Sequence, residues 1–173
     1  AHAYSNLFNI PSTGIRLFTV YGPWGRPDMA PMLFTKAILN SKPIKIFNNG
    51  EMYRDFTYID DVTDAIIKLL FIPPLSHSDK KDLNPSDIKI TTPYRVINIG
   101  NSTSIKLMEF VETLEKELEK KSIKIFEKMQ QGDLKKTYAD ITYIKNLINY
   151  EPKTSIKKGI RNFVKWYKSY YKF

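Results

Sequence analysis

The chain has 173 residues, 42% hydrophobic and 26% charged, enough for one real core and outside the disordered class. With no cysteine and only His2 and His77, disulfides, a thiol nucleophile, thiolate or histidine-rich metal sites and a serine-protease triad are all argued against. The 27 basic against 18 acidic residues give a net charge of +9, which suits an anionic partner, but the lysines are scattered and form no stripe.

Residues Ala1 to Phe8 read as the tail of a helix stopped by Asn9-Ile10-Pro11. The β-branched and aromatic run Ile15 to Tyr21 reads as one strand, covered on both faces in a parallel sheet and feeding a loop at Gly22-Pro23. Met32 to Leu39 has helical spacing, Lys45 to Phe47 is a short strand closed by Asn48-Asn49-Gly50, and Tyr53 to Ile59 is another strand. Asp60-Asp61 can cap a helix from Val62 to Phe71, with Asp61 and Asp64 arranged like a capping box. Its apolar stretch Ile66 to Phe71 contains Lys68 and falls far short of the roughly 18 residues a membrane span needs.

Pro73 to Pro93 is a polar loop of about twenty residues, expected to be long and mobile. Tyr94 to Gly100 resumes as a strand of the first kind. Leu107, Val111, Leu114 and Leu118 mark one face of a helix ending near Lys121. Ile123 to Phe126 is a strand and Gly132-Asp133 a turn. Asp140 caps a helix carrying Ile141, Ile144, Leu147 and Ile148, and after Pro152 a last helix aligns Ile156, Ile160, Phe163, Val164 and Tyr167. The pattern is α/β, with strands that want a larger sheet around them. With no initiator methionine, basic leader or apolar signal core at Ala1, the sequence reads as cytoplasmic and as a piece of something longer.

Two blocks carry chemistry. In Arg16 to Met29 a loop follows a strand's carboxyl end, where open α/β sheets bind ligands, and Arg26 sits between Gly25 and Pro27 on a stiff turn. Such a turn could aim a guanidinium at a carboxylate or phosphate, or could simply hold a surface arginine. In Tyr53 to Val62, Arg54 lies within a half-apolar strand; the plainer reading is a surface pair with Asp55 or Asp60.

Together these stretches resemble the carboxyl-terminal part of the extended short-chain dehydrogenase/reductases, the NAD-dependent nucleotide-sugar epimerases and dehydratases. TVYGPWGRPDMA (Thr19 to Ala30) is similar to the UDP-glucuronate 4-epimerase branch in particular. GEMYRDFTYIDDV (Gly50 to Val62), YRVINIGN (Tyr94 to Asn101), QGDLKKTYAD (Gln131 to Asp140) and the ending GIRNFVKWYKSYY follow in the family's order. The resemblance implies a fragment of an extended Rossmann-type α/β fold. Residues 1–28 and 94–105 would be a remnant of its sheet, and 29–72 with 106–173 the substrate domain.

The resemblance further implies that Thr19 and Arg26 hold the glucuronate carboxylate, that Phe47 packs on the uracil, and that Arg54 reaches the pyrophosphate. Asp133 would stand near the ribose hydroxyls, and Leu17 and Val20 beside the nicotinamide end of NAD. Gln130 occupies a position where galactose epimerases carry a further phosphate-contacting arginine. In the intact family NAD takes hydride from C4 of the sugar and a tyrosinate accepts the hydroxyl proton, and the 4-keto sugar is then reduced on its other face.

Two parts of that chemistry have no match. Of 7 glycines only Gly22 and Gly25 stand three apart, and position 28 is Asp where a nucleotide-binding turn needs a third glycine. None of the 11 tyrosines has lysine four positions on, so the Tyr-x-x-x-Lys base is absent from this stretch. The expectation is therefore a UDP-sugar-gripping part, inactive alone, whose partner is a missing N-terminal Rossmann segment; the alternative is a stand-alone truncated UDP-sugar-binding module or a fragment of another nucleotide-sugar epimerase or dehydratase. No nucleic acid or membrane partner is expected, and the family's dimer is not carried over.

Overall fold

The computed structural model describes residues 1–75 and 92–173. Of the 73–93 loop, 76–91 lie outside the described residues. The architecture is α/β, with three small sheets. β1 (Ser12–Leu17) pairs parallel with β5 (Tyr94–Ile99), Ser12 opposite Tyr94 and Leu17 opposite Ile99. β2 (Thr19–Tyr21) runs parallel to β4 (Tyr53–Tyr58), which pairs antiparallel with β6 (Ser104–Lys106). β3 (Pro43–Phe47) lies parallel to β7 (Ile123–Glu127).

The run Ile15 to Tyr21, expected as one strand, is thus two strands in different sheets. The Val20 N–H donates to the Phe18 carbonyl at 2.8 Å, an i to i+2 link that bends the backbone around Thr19. The Phe18 N–H still donates to Ile99 at 3.3 Å, so the chain leaves β5 at that residue and joins β4 at the next. Apolar patterning marks extended chain but carries no sign of such a bend.

The helices are α1 (His2–Phe8), α2 (Ala30–Leu39), α3 (Ile59–Leu70), α4 (Leu107–Leu118), α5 (Thr142–Ile148) and α6 (Ile156–Tyr171). α1 ends at Asn9 in the left-handed region (φ 50), a conformation asparagine tolerates better than most. α6 opens on Ser155, whose hydroxyl accepts from the Lys158 N–H at 3.3 Å. The capping expected of Asp60 and Asp61 is corrected: both lie inside the first turn of α3, after Tyr58 at the N-cap. Asp61 instead accepts the backbone N–H groups of Lys153 and Thr154, both at 3.1 Å, and fastens the approach to α6. Asp64 pairs with Lys68 one turn along. Asp140, by contrast, accepts the Thr142 N–H at 2.9 Å at the start of α5.

Two apolar clusters result. The first joins α2, β3, β4, α4 and α6; in it Phe56 stacks on Phe110 at 4.3 Å, and Tyr21 meets both rings edge-on. α6 passes close enough to Tyr21 that a Cβ on Gly159 would fall 2.0 Å from its hydroxyl. The second gathers Val62, Ala65 and Leu69 of α3 with Ile97, Ile99, Ile144 and Tyr150. α3 and α5, grouped by sequence with the substrate segments, therefore bury their apolar faces against β5.

One buried carboxylate locks three segments together. Asp55 on β4 accepts the backbone N–H of Asn101 at 2.7 Å and of Ala139 at 3.0 Å, and the Thr57 hydroxyl at 3.2 Å. It is no surface partner of Arg54. The same knot explains Gly100, where an added Cβ would lie 2.2 Å from that of Ala139.

Candidate functional site

A cleft of about 720 Å³ opens beside the first cluster, a volume typical of small-molecule sites. Thr19, Phe47, Arg54 and Asp133, four of the residues singled out from sequence, line it together with Asp28, Met52 and Gln130. They come from separate parts of the chain. Thr19 is delivered by the bend between β1 and β2. Phe47 ends β3 just before a tight turn in which Asn49 (φ 50) and Gly50 (φ 81) are left-handed. Gly50 is required twice over, because a Cβ there would also sit 2.8 Å from Met108 Cγ.

Arg54 is held in place from across the cleft wall. Its Nη2 donates to Asp133 Oδ1 at 2.8 Å, and its Nη1 to the Leu134 carbonyl at 2.7 Å and the Tyr53 carbonyl at 3.0 Å. The expected pairing with Asp55 or Asp60 is corrected by this arrangement: the partner is 79 residues away. Asp133 Oδ1 also accepts the Leu134 N–H, so the turn after Gly132 (φ 82) is shaped around the ion pair. The Arg54 side chain is only 18% exposed, and a charge fixed in partial burial attracts an anion more strongly than a free surface arginine.

Arg26 itself is not among the residues that line the cleft. It is exposed, and its Nε and Nη2 donate to Asp28 Oδ1 at 3.0 Å and Oδ2 at 2.6 Å. Asp28 does stand on the wall, and the guanidinium's bonds hold its carboxyl below the ordinary carboxylate range. Sequence reasoning missed Asp28; the spacing Arg-Pro-Asp, with a proline fixing the backbone between the charges, was the available signal.

Leu17 and Val20 part company. Leu17 is half-exposed in a shallow depression that shares Thr19 and Met29 with the cleft. Val20 turns the other way and packs on the second cluster, because adjacent strand residues face opposite sides. One apolar edge at Leu17 is not a dinucleotide site, and the residues described do not by themselves fit NAD.

No shifted tyrosine is primed as a base. Burial, foremost, raises the phenols of Tyr21, Tyr58, Tyr150 and Tyr167 above their ordinary value, keeping them neutral. Tyr150 donates to the Gly100 carbonyl at 3.0 Å, a structural bond. Among the described residues no group of three or more His, Cys, Asp or Glu is placed to hold a metal, and no helix is long and apolar enough to cross a membrane.

Comparison with known proteins gives this site a context. Residues 1–77 match the model of the NAD dependent epimerase/dehydratase family. The chain is 46% identical to "Protein CapI" of Staphylococcus aureus over 172 residues, covering 99% of this chain and 52% of that protein. It is 42% identical over 176 residues to a probable UDP-glucuronate 4-epimerase of Rhizobium meliloti, covering 99% of this chain and 51% of that one. Among solved structures, UDP-glucuronic acid 4-epimerase from Bacillus cereus, in complex with UDP-glucuronic acid and NAD, superposes with a TM-score of 0.79. That match is at 35% identity and spans 98% of this chain and 49% of the other. The chain thus spans about half the length of the curated relatives it matches.

Proposed function

We propose that this chain, which matches a C-terminal part of the NAD-dependent epimerase/dehydratase family, is the substrate-gripping part of a UDP-glucuronate 4-epimerase-like enzyme. What supports the reading most is that Thr19, Phe47, Arg54 and Asp133, from four separate segments, line one cleft. Phe47 offers an apolar face to a pyrimidine ring. Arg54 offers a fixed positive charge to a pyrophosphate, and Asp133, besides steadying Arg54, has a second oxygen able to accept from ribose hydroxyls. Thr19 lines both the cleft and the depression at Leu17, and its hydroxyl is a suitable donor for a sugar carboxylate.

These groups bind and orient; none described here is poised to move the proton of a sugar hydroxyl. The division of labour follows: this part holds the nucleotide and the uronate, and the redox half of the reaction belongs to residues outside this sequence. The chain alone is expected to convert no UDP-glucuronate to UDP-galacturonate when supplied with NAD; turnover above background, read by chromatography, overturns that expectation. Calorimetric titration with UDP tests the grip directly. Arg54→Ala should weaken binding by about tenfold or more, as befits loss of a charged hydrogen bond. Unchanged affinity would remove Arg54 from the site.

A further inference from the structure

We infer that Asp28 is a positioning residue for Arg26, taking one edge of the guanidinium so that the other is presented to the sugar carboxylate. The inference rests on the proposed uronate grip. A guanidinium has two edges able to hold a carboxylate by parallel bonds, Nε with one Nη, and the two Nη together. Here Nε and Nη2 both go to Asp28, at 3.0 and 2.6 Å, and among the described residues Nη1 donates to none. The end edge is left for a second carboxylate. Asp28 is also the member of the pair that stands on the cleft wall, so its position sets where the fork stands relative to a bound sugar.

The loop is built to hold this pair still. The Gly25 N–H donates to the Gly22 carbonyl at 3.3 Å and the Met29 N–H to the Arg26 carbonyl at 3.2 Å, two successive turns. Pro23 and Pro27 occupy their second positions, where a fixed φ favours the turn. Trp24, third in the first turn, adopts φ 61, an outlying conformation for so bulky a residue. Its ring is kept there by Trp166 at 5.5 Å and Tyr170 at 4.9 Å on α6. An exposed ion pair adds little to folding stability. What it adds is orientation, since a pinned arginine has less rotamer freedom left to lose on binding.

The test is calorimetry with UDP, UDP-glucose and UDP-glucuronate on the unaltered chain, Arg26→Ala, Asp28→Ala and Asp28→Asn, with thermal melts to verify folding. Asp28→Ala should weaken UDP-glucuronate by about fivefold, roughly half of one charged hydrogen bond, and leave UDP and UDP-glucose unchanged. Asp28→Asn, which keeps one accepting oxygen, should recover part of the loss. Equal losses on all three ligands, no loss, or a gain for UDP-glucuronate would each overturn the inference. If Arg26→Ala abolishes the preference for UDP-glucuronate and Asp28→Ala does not, only the role of Asp28 fails. If Arg26→Ala leaves the preference intact, the inference fails and the proposed function stands; if the unaltered chain binds none of the three, the underlying reading fails with it.

Discussion

The two apolar clusters sit in the same chain, yet they are finished to different degrees. The first is closed on every side: Ile46, Phe56, Phe110, Leu114, Ile160 and Phe163 are all essentially inaccessible. Among the described residues, the second is covered by α3 and α5 on one face of β5. On the sheet's other strand Leu17 is 51% exposed and Ile15 is also open, Val96 is open on β5 itself, and α1 adds Tyr4, Leu7 and Phe8. Exposed large apolar side chains on such neighbouring elements suit a contact face better than a finished exterior. The lesson is that the cleft is built on the closed part, whereas the depression at Leu17 borders the open one. On the proposed reading, the nucleotide grip belongs to the closed part and the redox site would border the open one.

The sharpest way to break that comparison is to damage each region in turn. Phe110→Ala, which removes a fully buried ring stacked on Phe56, should cost about 3–5 kcal/mol in urea unfolding. That approaches the whole stability of a small domain. A smaller loss is expected at the α6 crossing: Gly159→Ala sets a methyl against the Tyr21 ring and should cost about 1–3 kcal/mol by overpacking. Leu17→Ser, on the open face, should change stability by no more than about 0.5 kcal/mol while reducing self-association in sedimentation. A large loss at Leu17 would show that the open face is covered after all.

Acid pH separates the regions more gently. Burial works against a charged Glu115, but hydrogen bonds from Lys124, Ser122 and Lys121 outweigh it and hold its carboxyl at about 2. A carboxylate depressed in the folded state stabilises above its ordinary value near 4.5, and that contribution is lost as pH falls toward 2. Melting temperature should therefore drop across that window, and Glu115→Gln should flatten the slope while lowering stability at neutral pH. An unchanged slope in the variant would remove Glu115 as its source.

Much of this was legible in the sequence, and the gaps have a common cause. Helical spacing located α4 and α6, and the TVYGPWGRPDMA block pointed to Thr19 and the Arg26 loop before any coordinates. What periodicity could not supply were bonds between distant segments. Arg54 meets Asp133 across 79 positions, and Asp61 reaches Lys153 across 92, whereas the sequence offers Arg54 only its neighbours Asp55 and Asp60 and offers Asp61 only a local capping role. The break between β1 and β2 rests on a single backbone bond to Phe18, and residue type does not encode it.

The central claim is that the nucleotide enters the cleft on the closed part of the molecule. Amide chemical shifts followed by NMR during a UDP titration test it most directly. Shifts that saturate together at Thr19, Phe47, Arg54 and Asp133, with Ile15 and Val96 unmoved, are the predicted result. Shifts confined to the β1–β5 face, or none at any UDP concentration, would contradict it.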